Sequence, residues 1–318
     1  MNKGSAPVAR ARPREVFSQA DWEKLRRVSS WRGLFLVVHA WGVIALALAA
    51  SAVFPNPLTW LLAIMVIGAR QLGLAILMHE AAHGILHPNK KVNDFVGQWL
   101  CAAPVGASLQ SYRDYHLSHH RFTQTTADPD LPLSAPFPVS RASLMRKVIR
   151  DLTGQTFLKQ RLGLLALKLK GAGGGPSGVI QGASYEMAPF IAVNAALLAF
   201  LIAIGQGLLF LVWLLAMATW FPLATRLRNI AEHACVASGD DPYTHARTTR
   251  ANLLERAFIA PYWVNYHAEH HLFMYVPCYR LGEAHRLLCA TDKRPRMTVA
   301  DGYLDVLRRC TLTPAPAA

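Results

Sequence analysis

Cysteine is scarce and unpatterned in this chain: Cys101, Cys235, Cys278, Cys289 and Cys310 form no C-x-x-C pair and are odd in number. Neither a zinc knuckle nor a disulfide framework is indicated, and the five read as ordinary reduced thiols. Acidic residues are also few, 19 against 33 Lys and Arg, for a net charge of +14. No recognised nucleic-acid motif accompanies that charge, so no nucleic-acid partner is expected. The first apolar run is too long for a signal-peptide core and no small-residue cleavage pattern follows it. A flavin or nicotinamide fingerprint, G-x-G-x-x-G set between a strand and a helix, is missing as well. No internal repeat appears beyond a duplicated H-x-x-H-H pattern.

What is abundant is apolar length. Hydrophobic residues make up 53% of the 318, and they fall in long runs instead of recurring at period 3.6 or 2 among charges, which favours a membrane over a soluble core. A span needs about 20 apolar residues to cross about 30 Å of hydrocarbon. Residues 33–54 and 58–78 meet this, the second interrupted by Arg70 and Gln71, and Pro55-Asn56-Pro57 turns between them. A second hairpin, 189–204 and 208–224, turns at Gly205-Gln206-Gly207. The expected fold is an all-α integral membrane protein with four transmembrane helices in two hairpins and a cytoplasmic helical cap. Lys and Arg crowd the N-terminal segment, the middle and the C-terminal part, while the turns at 54–57 and 205–207 carry none. That asymmetry puts both termini in the cytoplasm. The expected divisions are a basic N-terminal segment (1–30), the membrane domain (31–286) and a cytoplasmic C-terminal tail (287–318).

Between the spans, 95–107 is apolar but too short to cross, which suits a re-entrant or interfacial segment. Residues 141–170 alternate basic with apolar positions, as a helix in the headgroup region does. A Gly-rich linker follows at 171–178. Residues 1–15 and 312–318 are expected to be disordered, and Trp31, Trp60 and Trp220 to anchor at the interface.

Nine of the 13 histidines fall in four clusters: His79 and His83; His116, His119 and His120; His233; His267, His270 and His271. Spacings of three or four put side chains on one helix face, where they can chelate a common centre. A lone H-x-x-x-H is commonly a solvated helix face or a set of core histidines, but several such clusters on one predicted side of the membrane call for another account. Neutral imidazole suits Zn, Cu, Fe and Ni alike. Nine donors exceed what one tetrahedral zinc uses, which argues for two metals. His79-Glu80-Ala81-Ala82-His83 also reads as H-E-x-x-H, the zinc-protease signature. An intramembrane metalloprotease is therefore the rival, and it leaves both H-x-x-H-H clusters unused. His39, His87, His245 and His285 fit no cluster. On an ideal helix Arg70 lies about 180° from His79 and is expected to pair with another helix or snorkel. Leu72, Ala75 and Ile76 share the His79 face and are candidates for lining a lipid tunnel.

The order H-x-x-x-H, H-x-x-H-H, N-x-x-x-H, H-x-x-H-H, with two hydrophobic hairpins interleaved, resembles the membrane fatty acid desaturase family. The pieces are His79 to His83, His116-Leu117-Ser118-His119-His120, Asn229-Ile230-Ala231-Glu232-His233 and His267-Ala268-Glu269-His270-His271, within a likeness over about residues 33–286. Asp128-Pro129-Asp130, Leu272-Phe273 and Val276-Pro277 also resemble family members, whereas Met274 and Gly282 stand where acyl desaturases often have proline. The resemblance implies a di-iron centre that binds O2, takes two electrons from a carrier such as a ferredoxin or cytochrome b5-type protein, and removes hydrogen from a long acyl chain. It implies the nine histidines as iron ligands and Asn229 as a ligand directly or through water. Glu80, Asp128, Asp130, Glu232 and Glu269 are placed to orient imidazoles from behind. Oxygen rebound in place of a second hydrogen loss would make the same site a hydroxylase or ketolase of a lipid, alkane or carotenoid. No cytochrome b5-like domain is fused at either end, so the basic face is expected to dock an acidic electron carrier.

Overall fold

The computed structural model describes residues 6–169, 187–238 and 241–312, and the chain is mostly helical. Helix α1 (Gln19–Arg26) starts at Ser18, whose hydroxyl accepts from the Asp21 N–H. Phe17 and Trp22 pack on Phe273 and pin this segment down. The expected first hairpin is α2 (Arg32–Val53) and α3 (Pro57–Ala82). Asn56 caps α3 by accepting from the Thr59 N–H at 3.1 Å, and Pro57 opens the helix, where its missing N–H costs nothing. At 26 residues α3 is ~39 Å long, enough to run past the hydrocarbon, and it is buried without a break from Ile67 to Leu74 and from Ile76 to Ala82.

After a turn at 83–89 the chain is helical from Lys90 to Val105: α4 (Lys90–Val96), a π-helical stretch (Gly97–Ala102) and the single turn α5 (Ala103–Val105). This segment lies tight on α3, since a Cβ on Gly97 would stand 2.4 Å from that of Ala81. Then come α6 (Leu109–Phe122) and the short α7 (Leu131–Ser134). In place of one interfacial helix over 141–170 there are two, α8 (Arg141–Leu152) and α9 (Gln155–Leu169). The break falls at Gly154, whose φ of +76° is a conformation glycine adopts without cost.

Of the second expected hairpin, α10 (Met187–Ala203) is helical, and its 17 described residues cover ~25 Å. Its Asn194 accepts from Trp213 Nε1 at 2.8 Å and donates to the Pro104 carbonyl at 3.2 Å, which ties it to the bundle. Helices α11 (Leu209–Ala218) and α12 (Trp220–His233) meet at Thr219 and together run 25 residues. This path overruns its expected end at 224, because the one proline, Pro222, sits harmlessly in the first turn of α12. Three helical paths, α2, α3 and α11 with α12, are thus long and apolar enough to cross a membrane among the described residues. Gly68 of α3 brings the last of them close: a Cβ there would stand 2.7 Å from Trp220 Cβ.

The remaining helices are α13 (Leu253–Phe258), α14 (His267–Leu272), α15 (Cys278–Cys289) and α16 (Tyr303–Arg309). Two small parallel sheets depart from the all-α expectation: β1 (Val139–Ser140) with β4 (Thr311–Leu312), and β2 (Arg247–Thr249) with β3 (Thr298–Ala300). Strands of two or three residues are too short to show alternation in a sequence. Residues 6–15 are ordered, contrary to expectation: the Val8 N–H donates to the Arg121 carbonyl at 3.0 Å and Ala11 is buried. The expected linker at 171–178 and residues 1–5 and 313–318 lie outside the described residues.

Candidate metal centre

Each histidine cluster arrives on its own element. Helix α3 carries His79 in its last turn and ends on His83. Arg113 closes that helix end: its Nε and Nη2 donate at 3.0 Å to the Ala82 and Ala81 carbonyls, and Nη2 meets Asp94 at 2.5 Å. His116, His119 and His120 sit near the end of α6, His233 ends α12, and α14 carries His267, His270 and His271.

The nine converge in two groups. One is His79, His83, His116, His120 and His270; the other is His119, His233, His267 and His271, and within each group the donor atoms lie within 4.8 Å of one another. Each H-x-x-H-H box is therefore split. His119 and His120 serve different groups, as do His270 and His271, because adjacent residues on a helix diverge by about 100°.

The donor set fits two transition-metal ions. His120 Nε2 lies 3.0 Å from His116 Nε2 and 2.9 Å from His270 Nε2. His233 Nε2 lies 2.9 Å from His267 Nε2 and 3.2 Å from His119 Nε2. One proton per neutral ring cannot satisfy nitrogens that converge in this way. Two nitrogens each about 2.1 Å from one cation, at angles of about 90–109°, stand roughly 3.0–3.4 Å apart. Among the described residues, His79 Nε2 and both ring nitrogens of His83 are buried without a hydrogen-bond partner, a costly state unless a cation takes the lone pair.

The carboxylates divide less evenly than expected. Asp128 lies 2.7 Å from His119 Nδ1 and accepts from the Gln124 and Asp130 N–H groups at 2.8 Å each. Asp130 approaches His119 Nδ1 at 3.6 Å and accepts from the Tyr115 hydroxyl. Glu232 lies 3.3 Å from His267 Nδ1 and accepts from Arg228 Nε at 2.6 Å. Glu80 stands 3.6 Å from His79 Nδ1 and accepts from the Cys278 N–H at 2.7 Å. Glu269 departs from expectation: it accepts from the Thr248 hydroxyl and sits 2.6 Å from His285 Nδ1, outside both groups. As the second residue after His267 it faces away from that ring on a helix.

Sequence reasoning passed over two contributors. The His245 carbonyl accepts from His233 Nδ1 at 3.1 Å, a backbone role that leaves no sequence signal. Tyr112 stacks on His116 with centroids 5.2 Å apart, and its place four residues earlier on the same helix could have revealed it.

Burial, reinforced by neighbouring rings, pushes His116, His120, His267, His270 and His271 well below the usual imidazole value of 6.5, which keeps them neutral and able to bind metal. His119 is the exception. Burial opposes its charge, but the Asp130 and Asp128 carboxylates outweigh that effect and move it upward.

A cavity of about 320 Å³ abuts the second group. Leu72, Ala75, Met78, Val105 and Phe221 form an apolar wall, and His116, His119, His233 and His267 close its end. Leu72 and Ala75 thus line it as their helix face predicts, whereas Ile76 is buried elsewhere. Asn229 belongs to the same lining as His119, His233 and His267 of the second group.

The H-E-x-x-H reading finds little support in this arrangement. A catalytic zinc site keeps three protein ligands and an open position, but His79 and His83 share their group with three further imidazoles. Glu80 is buried and held by a backbone N–H.

The profile of the family described as fatty acid desaturase matches residues 55–301. The chain is also similar to dihydrorhizobitoxine desaturase of Bradyrhizobium elkanii, 24% identical over 241 residues that cover 72% of this chain and 68% of that protein.

Proposed function

Since the chain belongs to the fatty acid desaturase family, we propose that it is an O2-dependent desaturase that places a double bond in a long acyl chain of a membrane lipid or acyl thioester. Family and relative support a desaturase-type oxidoreductase, and the apolar helices support a membrane protein. The observation that carries the finer reading is the convergence of nine histidines into two groups beside a cavity with an apolar wall.

In this reading the metals are two iron ions. His79, His83, His116, His120 and His270 hold one; His119, His233, His267 and His271 hold the other, with Asn229 joining directly or through water. Bound iron would supply the oxidising chemistry, drawn from O2, that an unactivated C–H bond requires. The chain's own residues position and protect. Leu72, Ala75 and Met78 hold the substrate against α3 and exclude water. Asp128, the Glu232 carboxylate and the His245 carbonyl fix the outer nitrogens of His119, His267 and His233, and with them the direction of the inner ones.

The chain spans the membrane four times, α10 included, with both termini and the histidine centre on the cytoplasmic side. There the basic surface docks an acidic ferredoxin or a cytochrome b5-type carrier. Purified protein should contain two irons per chain, and lipid profiles of cells with and without it should differ by a species lacking two hydrogens. Iron-loaded protein that yields no oxidised lipid under aerobic, electron-supplied conditions overturns the proposal. A product that has gained oxygen transfers the site to the hydroxylase or ketolase reading.

Polar residues on the cavity, Gln160, Arg161, Tyr115 and Asp130, favour a second reading in which the substrate is shorter and polar at one end. The similar protein is named for dihydrorhizobitoxine. Untargeted profiling of the water-soluble fraction of the same cells distinguishes this reading from the first.

A further inference from the structure

A second cavity, of about 420 Å³, opens on the side of α3 away from the histidines. Its lining includes Arg70, Arg256, His39, Tyr262, Phe35 and Leu253. Arg70 is only 7% exposed; its Nη2 donates to the Ala257 carbonyl at 2.8 Å and its guanidinium lies 5.4 Å from the Tyr262 ring centre. Neither contact supplies negative charge. Arg256 is exposed and reaches the Tyr266 hydroxyl at 3.4 Å. Among the described residues, no carboxylate lines the cavity and none pairs with either arginine. A buried guanidinium within a helix long enough to cross a membrane is costly without a counter-charge, and such a residue is a functional candidate by default.

Position and rim narrow the occupant. Arg70 lies nine residues before His79, ~14 Å along α3, and His39 lies seven residues into α2, ~10 Å from its start. The antiparallel hairpin brings these levels together near the end of the bundle that bears the histidine centre. Phe35 and Leu253, 56% and 84% exposed, leave an apolar rim outside the two cations.

We infer that this cavity binds the phosphate of an anionic membrane lipid, with Arg70 and Arg256 on the phosphate oxygens and the acyl chains over Phe35 and Leu253. Guanidinium matches phosphate through paired N–H donors. Two cations without a carboxylate favour an anionic headgroup over a zwitterionic one, and the apolar rim favours a lipid over a free anion. The site lies across α3 from the histidines, so metal content serves as an independent control.

The test uses the full chain, delipidated in detergent and offered phosphatidylglycerol, phosphatidylcholine, inorganic phosphate or oleate, with retention read by native mass spectrometry. Phosphatidylglycerol should be retained at least about tenfold more tightly than phosphatidylcholine, and Arg70→Gln and Arg256→Gln should each abolish that preference without changing metal content. Arg256 is exposed, so its variant keeps the test valid if Arg70→Gln fails to fold. Equal retention of the two phospholipids, or a preference that survives Arg256→Gln, overturns the proposal. So does displacement of phosphatidylglycerol by an equal concentration of oleate or inorganic phosphate, which would make the occupant a carboxylate or a free anion.

Discussion

The Nδ1 of His119 and an oxygen of Asp128 lie 2.7 Å apart, with each side chain only 1% exposed. Asp128 is itself fixed by two backbone N–H groups, so the contact sets both the tautomer and the ring direction of His119. Among the five histidines of the other group, His79 has a carboxylate at 3.6 Å, and His83 has no hydrogen-bond partner on either nitrogen among the described residues. The two histidine groups therefore differ in support. Asp128→Asn should weaken metal binding at the His119 group by about 10–100-fold and leave the other group loaded. Metal analysis after graded chelation should then fall through a plateau near one ion per chain, whereas loss of both ions together would contradict the assignment.

Metal-free protein should lose stability in acid. His116, His120, His267, His270 and His271 are all pushed below 6.5 in the folded chain. The unfolded chain therefore binds more protons as pH falls, so the stability present above about pH 6.5 is lost progressively below it. His119 is shifted upward and works the other way, but five groups outweigh one. Thermal unfolding of chelator-treated protein in detergent should shift to lower temperature between about pH 7.5 and about pH 5.5. A midpoint that rises over that range would show that burial does not govern these rings.

Much of this site was legible in the sequence because helical spacing is a strong constraint. The nine histidines declare a shared face before any coordinate is known, and Leu72 and Ala75 follow from the same periodicity. What spacing cannot convey is which of two adjacent rings serves which group, or what stands behind each ring. Glu269 sits inside a histidine box yet serves His285, and His245 contributes its backbone carbonyl. In the fold, α2, α3 and the path of α11 with α12 follow from apolar length, but the break at Gly154 depends on local backbone conformation. The two small sheets join residues far apart in the chain, a relation that no local window contains.

Filling the cavity should separate substrate binding from metal binding. Ala75 lines it on the α3 face that leads to His79, so Ala75→Phe places a ring where the substrate chain would lie. Activity on a long substrate should fall by at least about 10–200-fold, the range for a single methylene's worth of pocket, with metal content unchanged. Shorter substrates should suffer less, and product yields across a chain-length series would show it. A uniform loss at every length would mean that the cavity is not the substrate path.

Arg228 and Glu232 form the other test of the site's construction. They meet at 2.6 Å one turn apart on α12, with side chains 14% and 6% exposed, and Glu232 also lies 3.3 Å from His267 Nδ1. Removing one partner strands the other in a buried setting, so Arg228→Gln or Glu232→Gln alone should cost about 3–5 kcal/mol. The double Gln variant leaves no charge behind and should cost less than the sum of the two, with a coupling of about 1–3 kcal/mol. Unfolding of all four proteins in one detergent closes the cycle. Additive losses would show that the pair does not act as a unit. Glu232 also stands behind His267 of the second histidine group, whereas the hydrogen bond of Arg228 goes to Glu232. Metal affinity in the double variant should therefore stay low even where stability recovers, because His267 has lost the carboxylate behind it.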